Sequence, residues 1–185
     1  MEDNNSSKKQ DFNEHIDNRP KTNHSQLKNQ LKLREVKKDD VTFLFELRND
    51  PSVRESSFHV EPIGLTDHKK WFQEKLKAKN SLILIAEYGE QRVGQIRFDI
   101  GEMANRAEVS IGVLPKFRQK GFGVKILKIG CKLASKNLQI SSINAFIKKE
   151  NLISIRTFSK AGFEKKGYLE YKGYHSMEME LDVSK

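Results

Sequence analysis

Apolar side chains between residues 31 and 182 recur with two periods that alternate along the chain. Alternating apolar and polar residues predict strands at 31–36, 81–88, 92–100, 106–114, 143–148, 163–171 and 174–182. Apolar residues three or four positions apart predict helices at 41–49, from 66 onward, at 122–137 and at 151–160. Between the first two helices, residues 51–65 are predicted to form a loop with a short extended or helical piece. This order of elements predicts an α/β fold built on a mixed sheet.

Polar residues, prolines and glycines predict where these helices begin and end. Asp39 or Asp40 is suited to cap the first helix, and Pro51 ends it because proline disfavours helix in the residue before it. Thr66 is predicted to cap the second helix. Gly162 is predicted to supply the C-terminal cap of the last helix.

The first 30 residues lack this periodicity and are predicted to form a disordered polar tail before a single domain at 31–185. Their large apolar residues are Met1, Phe12, Ile16 and Leu27, which are too few to offset the entropy lost on ordering. The tail has as many acidic as basic residues, so the net charge of +9 belongs to the domain. A nucleic acid, an anionic membrane surface or a polyphosphorylated small molecule would each suit this charge.

The targeting and cysteine signals of the sequence predict a cytoplasmic protein. The N-terminal segment lacks the apolar core of a secretory signal, and no apolar run is long enough to span a membrane. The single cysteine, Cys131, allows no internal disulfide and no multi-cysteine metal site, and its apolar neighbours favour a buried thiol. No pair of His or Cys residues has the spacing of metal ligands, so no metal is predicted.

Residues 107–123, AEVSIGVLPKFRQKGFG, have the composition of an anion-binding site. An alternating strand leads into a basic loop with two glycines, and a helix begins at once. The N–H groups at a helix start lack internal partners, and glycine lets a phosphate approach the backbone closely. Arg118 and Lys120 add positive charge to the loop. The spacing fits neither a Walker A loop nor a GxGxxG loop.

Residues 118–123, RQKGFG, resemble the Arg/Gln-x-x-Gly-x-Gly/Ala signature of the GNAT superfamily of N-acetyltransferases. Residues 151–163, NLISIRTFSKAGF, resemble the next motif of that family, Asn-x-x-Ser/Ala followed by Lys-x-Gly-Phe. With the Leu33-Arg34 opening, the resemblance covers residues 31–182 in the expected order. It implies a GNAT-like α/β fold, in which about four helices flank a mixed, mostly antiparallel central sheet of about seven strands.

The resemblance also implies acetyl-CoA as co-substrate and direct attack of a primary amine on its thioester in a ternary complex. In the family, backbone amides of the signature loop hold the CoA pyrophosphate, and a strand N–H polarises the thioester carbonyl. The residues implied to bind CoA here are Val113, Arg118, Gln119, Lys120, Gly121, Phe122, Gly123 and Asn151. Asn151 is equally suited to a plain helix N-cap.

Glu108 is the first candidate for the catalytic base, because some GNAT enzymes relay the proton of the amine through an acidic residue on this strand. The alternative is a structural ion pair of Glu108 with Arg97 or Arg106 on a neighbouring strand. His68 is the second candidate for deprotonating the amine. The alternative for His68 is a surface or locally hydrogen-bonded histidine.

Phe158 departs from the pattern of the family. Many relatives carry a tyrosine at this position, which protonates the leaving thiolate. Phenylalanine has no proton to donate. The acid is therefore left open among Tyr168, Tyr171, Tyr174 and water.

Residues 48–54, RNDPSVR, and 68–72, HKKWF, resemble GNAT enzymes that acetylate nucleotide-linked amino deoxysugars. The basic residues suited to a diphosphate there are Arg48, Arg54, His59, His68, Lys69 and Lys70. Ribosomal-protein N-terminal acetyltransferases, polyamine acetyltransferases and a non-catalytic acyl-CoA-binding module stay open as alternatives. The expected partner is thus a small-molecule amine, with a sugar nucleotide first. Neither a nucleic acid nor a membrane is expected, and the chain is expected to be a monomer or homodimer.

Overall fold

A computed structural model describes residues 30–101 and 105–184 of the chain. The predicted polar tail, apart from residue 30, lies outside this range. The α-helices of the described residues are α1 (Val41–Asn49), α2 (Pro51–Ser56), α3 (Leu65–Lys77), α4 (Phe122–Leu138) and α5 (Leu152–Ala161), and short 3-10 helices lie at Lys38–Asp40 and Pro115–Phe117. The strands are β1 (Leu31–Glu35), β2 (Ser81–Tyr88), β3 (Gln91–Ile100), β4 (Arg106–Val113), β5 (Ser142–Lys148), β6 (Glu164–Tyr171) and β7 (Tyr174–Asp182).

The seven strands form one sheet in the order β1-β2-β3-β4-β5-β7-β6. Neighbouring strands are antiparallel except β4 and β5, which pair in parallel over only three residues each. Beyond Glu108 and Asn144 the described ladder between β4 and β5 ends, although β4 stays paired with β3 as far as Val113. On its other side, β5 stays paired with β7 as far as Lys148. The sheet therefore opens between two of its inner strands.

Helices cover both faces of the sheet. On one face, α4 and α5 bury Ile126, Leu127 and Phe158 in the larger core. On the other face, Leu44 of α1 and Phe72 of α3 pack on β2. The side chain of Leu47 in α1 also packs against β4, since a Cβ on Gly112 would be 3.4 Å from it. This contact holds α1 beside the opening in the sheet.

The predicted mixed, mostly antiparallel sheet of seven strands is confirmed, as is the cap of α5 at Gly162, where φ is 109°. The helix beyond the four predicted is α2, which Asp50 caps by accepting hydrogen bonds from the backbone N–H groups of Ser52 and Val53. The prediction that Thr66 caps α3 is wrong, because that helix begins one residue earlier and Thr66 lies in its first turn. None of the described helices has the length and apolar character needed to cross a membrane.

A buried carboxylate fastens the start of α1 to the edge of the sheet. Asp40 accepts hydrogen bonds from Arg34 at 2.6 and 2.9 Å and from the backbone N–H of Lys37 at 2.8 Å. Arg92 lies 3.3 Å from the same carboxylate. Burial by itself would raise the pKa of Asp40, but these donors outweigh burial and lower it. Asp40 therefore precedes the helix as half of an ion pair, and its side chain makes no cap hydrogen bond to α1.

We expect Asp40→Asn to lower the free energy of unfolding at pH 7 by about 2 kcal/mol, measured by urea denaturation. The value lies below that of a fully buried pair because the side chain of Arg34 is 28% exposed. Because the folded-state pKa of Asp40 is lowered, its stabilisation is present above the ordinary carboxyl pKa and is lost as pH falls through the lowered value. The difference between wild type and variant should therefore shrink below about pH 4.

Asp39→Asn is the matched control, because Asp39 is the exposed neighbour of Asp40. An Asp39 variant that loses as much stability as the Asp40 variant would contradict the assignment.

Candidate active site

The opening between β4 and β5 exposes one edge of β4. The backbone N–H of Leu114 donates to the carbonyl of Val93 in β3 at 2.9 Å. Successive N–H groups of a strand alternate in direction, so those of Ile111 and Val113 point away from β3. They point toward the opening, where the described ladder offers them no strand partner. An extended ligand arm can pair with this edge, and Val113 lies where the sequence implied a donor.

The loop after β4 turns back on that strand through the side chain of Arg118. Its Nε donates to the carbonyl of Val113 at 3.0 Å, which ties the loop to the strand end. Lys120 donates from Nζ to the carbonyl of Lys116 at 2.9 Å. Both cations thus brace the loop, while their positive charge remains beside it.

The same loop brings backbone N–H groups to the start of α4. Gln119 and Gly121 have left-handed backbones, with φ of 59° and 78°, and Gly121 is the N-cap residue of α4. A Cβ on Gly121 would meet nothing within 4 Å, so space is open in front of the amides. The first turn of α4 contains no acidic residue. The positive end of the helix dipole and the unpaired amides therefore fit a phosphate.

Contacts of Gly123 and Phe122 fix the orientation of the start of α4. A Cβ on Gly123 would lie 3.0 Å from the methyl group of Thr157 in α5, so glycine lets the two helices approach closely. The ring of Phe122 packs edge-on against Tyr88 and Phe117, at centroid distances of 5.1 and 5.7 Å. Residues 118–123 are thus held at one end of the opening by both β2 and α5.

Asn151 stands at the start of the adjacent helix α5. Its Oδ1 accepts the backbone N–H of Ser154 at 3.0 Å, so the N-cap that the sequence allowed is formed. Beside it lies a cavity of about 250 Å³ lined by Glu55, Ser56, Lys148, Glu150 and Asn151. Contact of Asn151 with CoA stays a prediction.

Glu108 occupies the last rung before the strands separate, and its side chain is 41% exposed. Tyr171 donates its hydroxyl to Oε2 of Glu108 at 2.6 Å, and the ammonium of Lys172 lies 3.7 Å from Oε1. Burial and this carboxylate raise the pKa of Tyr171, so the tyrosine stays a proton donor. The arginines that could have paired with Glu108 are engaged with Asp99 and Glu180 instead.

Aromatic rings gather around Tyr171 on the same face. Phe146 of β5 stacks on Tyr171 at a centroid distance of 4.0 Å, and Phe58 meets it edge-on at 5.0 Å. Phe58 also contacts Tyr174, over whose ring Lys148 lies at 4.1 Å. The segment after α2 therefore folds over the end of the β6–β7 hairpin and forms a wall of the opening.

Sequence reasoning identified Glu108 and the tyrosines but missed Phe58, Phe146, Asn144 and Glu178. Asn144 donates from Nδ2 to Oε1 of Glu178 at 2.8 Å, on the face that carries Glu108. Strand alternation is the signal that would have found these residues, but it needs the pairing of β4 with β5 and of β5 with β7.

His68 lies apart from this group, and the structure favours the locally hydrogen-bonded alternative over a catalytic or surface residue. It is 2% exposed, its Nε2 is 3.1 Å from the carbonyl of Val41, and Phe45 and Trp71 pack around its ring. Burial, with a smaller contribution from Arg48, lowers the pKa of His68 and favours the neutral ring. Aromatic rings enclose this histidine between α1 and α3, away from the group around Glu108.

The basic residues of segment 48–70 are largely engaged in local structure. Arg48 donates to the carbonyl of His59 at 2.6 Å, and Arg54 donates to that of Val60 at 2.9 Å. These bonds hold the segment after α2 in place. Lys69 and Lys70 are exposed on α3.

Two further residues noted in the sequence lie inside the larger core. Phe158 is 4% exposed and packs edge-on against Phe163, so it contributes to the core. Cys131 is 3% exposed, and burial raises the pKa of its thiol to about 12. The prediction of a buried cysteine is confirmed.

Comparison with known proteins agrees with this geometry. Residues 30–164 match the family model described as Acetyltransferase (GNAT) domain. The spermidine N(1)-acetyltransferase of Escherichia coli K12 is 21% identical over 143 residues, which is 77% of each chain.

Solved structures show the same fold. The spermidine N-acetyltransferase of Vibrio cholerae with CoA and spermine superimposes with a TM-score of 0.75 at 19% identity, covering 84% of this chain and 96% of that one. An aminoglycoside acetyltransferase with CoA and kanamycin gives a TM-score of 0.73 at 18% identity, covering 83% and 95%. Because the family model spans most of the sequence, the chain belongs to the GNAT acetyltransferase family and is an acetyl-CoA-dependent N-acetyltransferase.

Proposed function

We propose that this N-acetyltransferase acts on a small cationic amine of the polyamine or aminoglycoside type, with Glu108 as the base. One observation carries the proposal. Carboxylates and aromatic rings lie together on the face of the sheet opposite α4 and α5, at the point where β4 and β5 separate. The carboxylates are those of Glu108 and Glu178, and the rings those of Phe58, Phe146 and Tyr171. Carboxylates and ring faces both attract ammonium groups.

The side chain of Lys172 already places an ammonium group beside Glu108 and Tyr171. Lys172 Nζ lies 3.7 Å from Glu108 and 4.6 Å from the centroid of the Tyr171 ring. The lysine side chain is 57% exposed, and exposed ion pairs contribute only about 0–1 kcal/mol. An acceptor ammonium can therefore replace that of Lys172 at little cost.

The names of the relatives support the same class of acceptor, since they refer to spermidine and to aminoglycosides. The nucleotide-linked amino deoxysugar expected from the sequence has less support. That acceptor was predicted from the basic residues of segment 48–70, and two of them, Arg48 and Arg54, are bonded to backbone carbonyls. We therefore prefer the polyamine alternative, with the sugar nucleotide as a competitor to be tested.

In the proposed reaction, CoA lies with its pyrophosphate at the start of α4 and its arm along the open edge of β4. The amine enters from the face of Glu108. The carboxylate accepts a proton from the ammonium, and the nitrogen lone pair then attacks the thioester carbon. A C–N bond forms, the C–S bond breaks, and its electron pair stays on sulfur, while the nitrogen releases its second proton to water. The N–H of Val113 is the candidate donor to the developing oxyanion.

Position 158 holds phenylalanine in place of the tyrosine that protonates the thiolate in many relatives, but this does not block the reaction. A free thiol has a pKa of about 8.5, so its thiolate leaves without a strong acid. Tyr171, bonded to Glu108, orients the base. Water or the proton collected by Glu108 can neutralise the thiolate after the C–S bond breaks.

The acceptor is tested by acetyl-CoA turnover with spermidine, kanamycin, a nucleotide-linked amino deoxysugar and a peptide with a free N-terminus. We expect kcat/KM to be highest for spermidine or kanamycin. For these cations, added salt should raise KM, because it screens their attraction to Glu108 and Glu178. Turnover of the sugar nucleotide or the peptide without turnover of either cation would overturn the proposed acceptor.

Gly121→Asp should abolish detectable CoA binding in calorimetry while the fold is retained. The change brings a negative charge to the amides that face the phosphates. Gly121→Asn is the matched control, because asparagine has the same shape, carries no charge and tolerates the left-handed backbone. We expect the asparagine variant to bind CoA more weakly than wild type but measurably. Equal affinity of the two variants would contradict the phosphate assignment.

Glu108→Gln should reduce kcat by about 10²–10⁴-fold and leave the affinity for CoA unchanged. The reduction should become smaller as pH rises, because more of the amine is then neutral without a base. Steady-state kinetics between pH 6 and pH 9 measure both effects.

Tyr171→Phe, which removes the hydroxyl bonded to Glu108, should reduce kcat by a smaller factor, about tenfold. Glu170→Gln is the control, since Glu170 contacts His175 on the edge hairpin.

A Glu108→Gln enzyme with the full rate would make Glu108 a structural residue.

A further inference from the structure

Asn144 presents a buried oxygen that the fold itself does not satisfy. The residue is 2% exposed, and no hydrogen-bond donor contacts its Oδ1 among the described residues. A buried polar atom without a partner costs about 1–3 kcal/mol. This oxygen is therefore available to accept a hydrogen bond from a ligand.

The orientation of this amide follows from its other end. Nδ2 of Asn144 donates to Oε1 of Glu178 at 2.8 Å. A carboxylate only accepts hydrogen bonds, so the reversed amide would set two acceptors against each other. Because β7 lies on one side of β5 and β4 on the other, Oδ1 is turned away from Glu178 and toward β4.

The residue opposite Asn144 on β4 is Glu108. Paired residues of neighbouring strands lie about 4.8 Å apart and project from the same face of the sheet. The two side chains therefore stand together on the last rung before the strands separate, beside the edge along which the CoA arm is proposed to lie.

We propose that Asn144 positions the reacting amine, with its Oδ1 accepting one N–H of the acceptor nitrogen, and that Glu178 holds the amide in the orientation this requires. The inference rests on the proposed function only in taking Glu108 as the base. As the ammonium gives one proton to Glu108, Asn144 keeps hold of another N–H. The lone pair freed by the transfer is thereby turned toward the thioester. Asn144 itself gains and loses no proton.

Asn144→Ala should raise KM for the amine by about 10- to 100-fold, the loss expected for a hydrogen bond to a charged group. KM for acetyl-CoA should change by less than about twofold, because Asn144 lies on the face opposite α4 and α5. Spermidine, kanamycin and the nucleotide-linked amino deoxysugar are all assayed, since each presents a primary amine to the same oxygen. Glu178→Ala, which releases the amide, should act in the same direction with a smaller factor.

Ser176→Ala is the control, because Ser176 is fully buried on β7 and bonded only to a backbone carbonyl. It should lower Tm and leave both KM values near those of wild type. If Asn144→Ala does not fold, Asn144→Leu carries the test, because leucine has the same branched shape as asparagine and also lacks the oxygen. A folded variant whose KM for the amine stays within about twofold of wild type overturns the inference.

The choice of acceptors separates this inference from the proposed function. If the sugar nucleotide alone is acetylated and its KM rises in Asn144→Ala, the cationic acceptor is wrong and the role of Asn144 stands. If spermidine is acetylated with an unchanged KM in that variant, the acceptor stands and the role of Asn144 is wrong. A wild-type enzyme that acetylates no amine overturns both.

Discussion

The separation of β4 from β5 after a single short stretch of parallel pairing is the constraint on which the candidate site depends. Up to Glu108 and Asn144 the two strands satisfy each other's backbone groups, and beyond them they do not. A strand edge with unpaired N–H groups inside a sheet costs free energy unless a ligand pairs with it. The same separation places Glu108 at the border between closed sheet and open edge. The proposed binding of the CoA arm and the proposed base thus have one structural origin.

The net charge of +9 is not evenly distributed over the two sides of the candidate site. Basic residues dominate the start of α4, where no acid competes for an anionic ligand. On the opposite face, Arg48 and Arg54 are bonded to backbone carbonyls. Glu108 and the ring of Tyr171 face the opening, with Lys172 paired to both. One end of the opening therefore suits phosphates and the other suits an ammonium group. An enzyme that joins a polyanionic donor to a cationic acceptor needs this separation, because mixed charges would attract either substrate to the wrong end.

The sequence predicted most elements of the fold because their periodicity is local. The strands and four of the helices follow from apolar spacing, and the phosphate loop follows from a motif of adjacent residues. Thr66 was misjudged because two neighbouring positions can both begin a helix, and the structure uses Gly64 as the N-cap residue. Asn144 could not be linked to Glu108, since 34 residues separate Glu178 from Asn144 alone and only the strand order brings the three together. The bonds of Arg48 and Arg54 to backbone carbonyls could not be predicted for a related reason, because charge in a sequence does not indicate which carbonyl it meets.

Phe158 and Tyr171 illustrate how the two faces of the sheet share the proposed chemistry. At position 158 a tyrosine would bring a hydroxyl into a side-chain environment that is 4% exposed and packed against Phe163. Phenylalanine avoids that desolvation cost, and α5 acts as packing for the larger core. The hydroxyl that does touch a carboxylate comes instead from the β6–β7 hairpin, on the amine face, where Tyr171 meets Glu108. The α4–α5 face is thus left to hold CoA, and the groups proposed to handle protons all lie on the amine face. In the proposed reaction, substrates bound on the two faces would meet only where β4 and β5 separate, so the amine would pass Glu108 before it reaches the thioester.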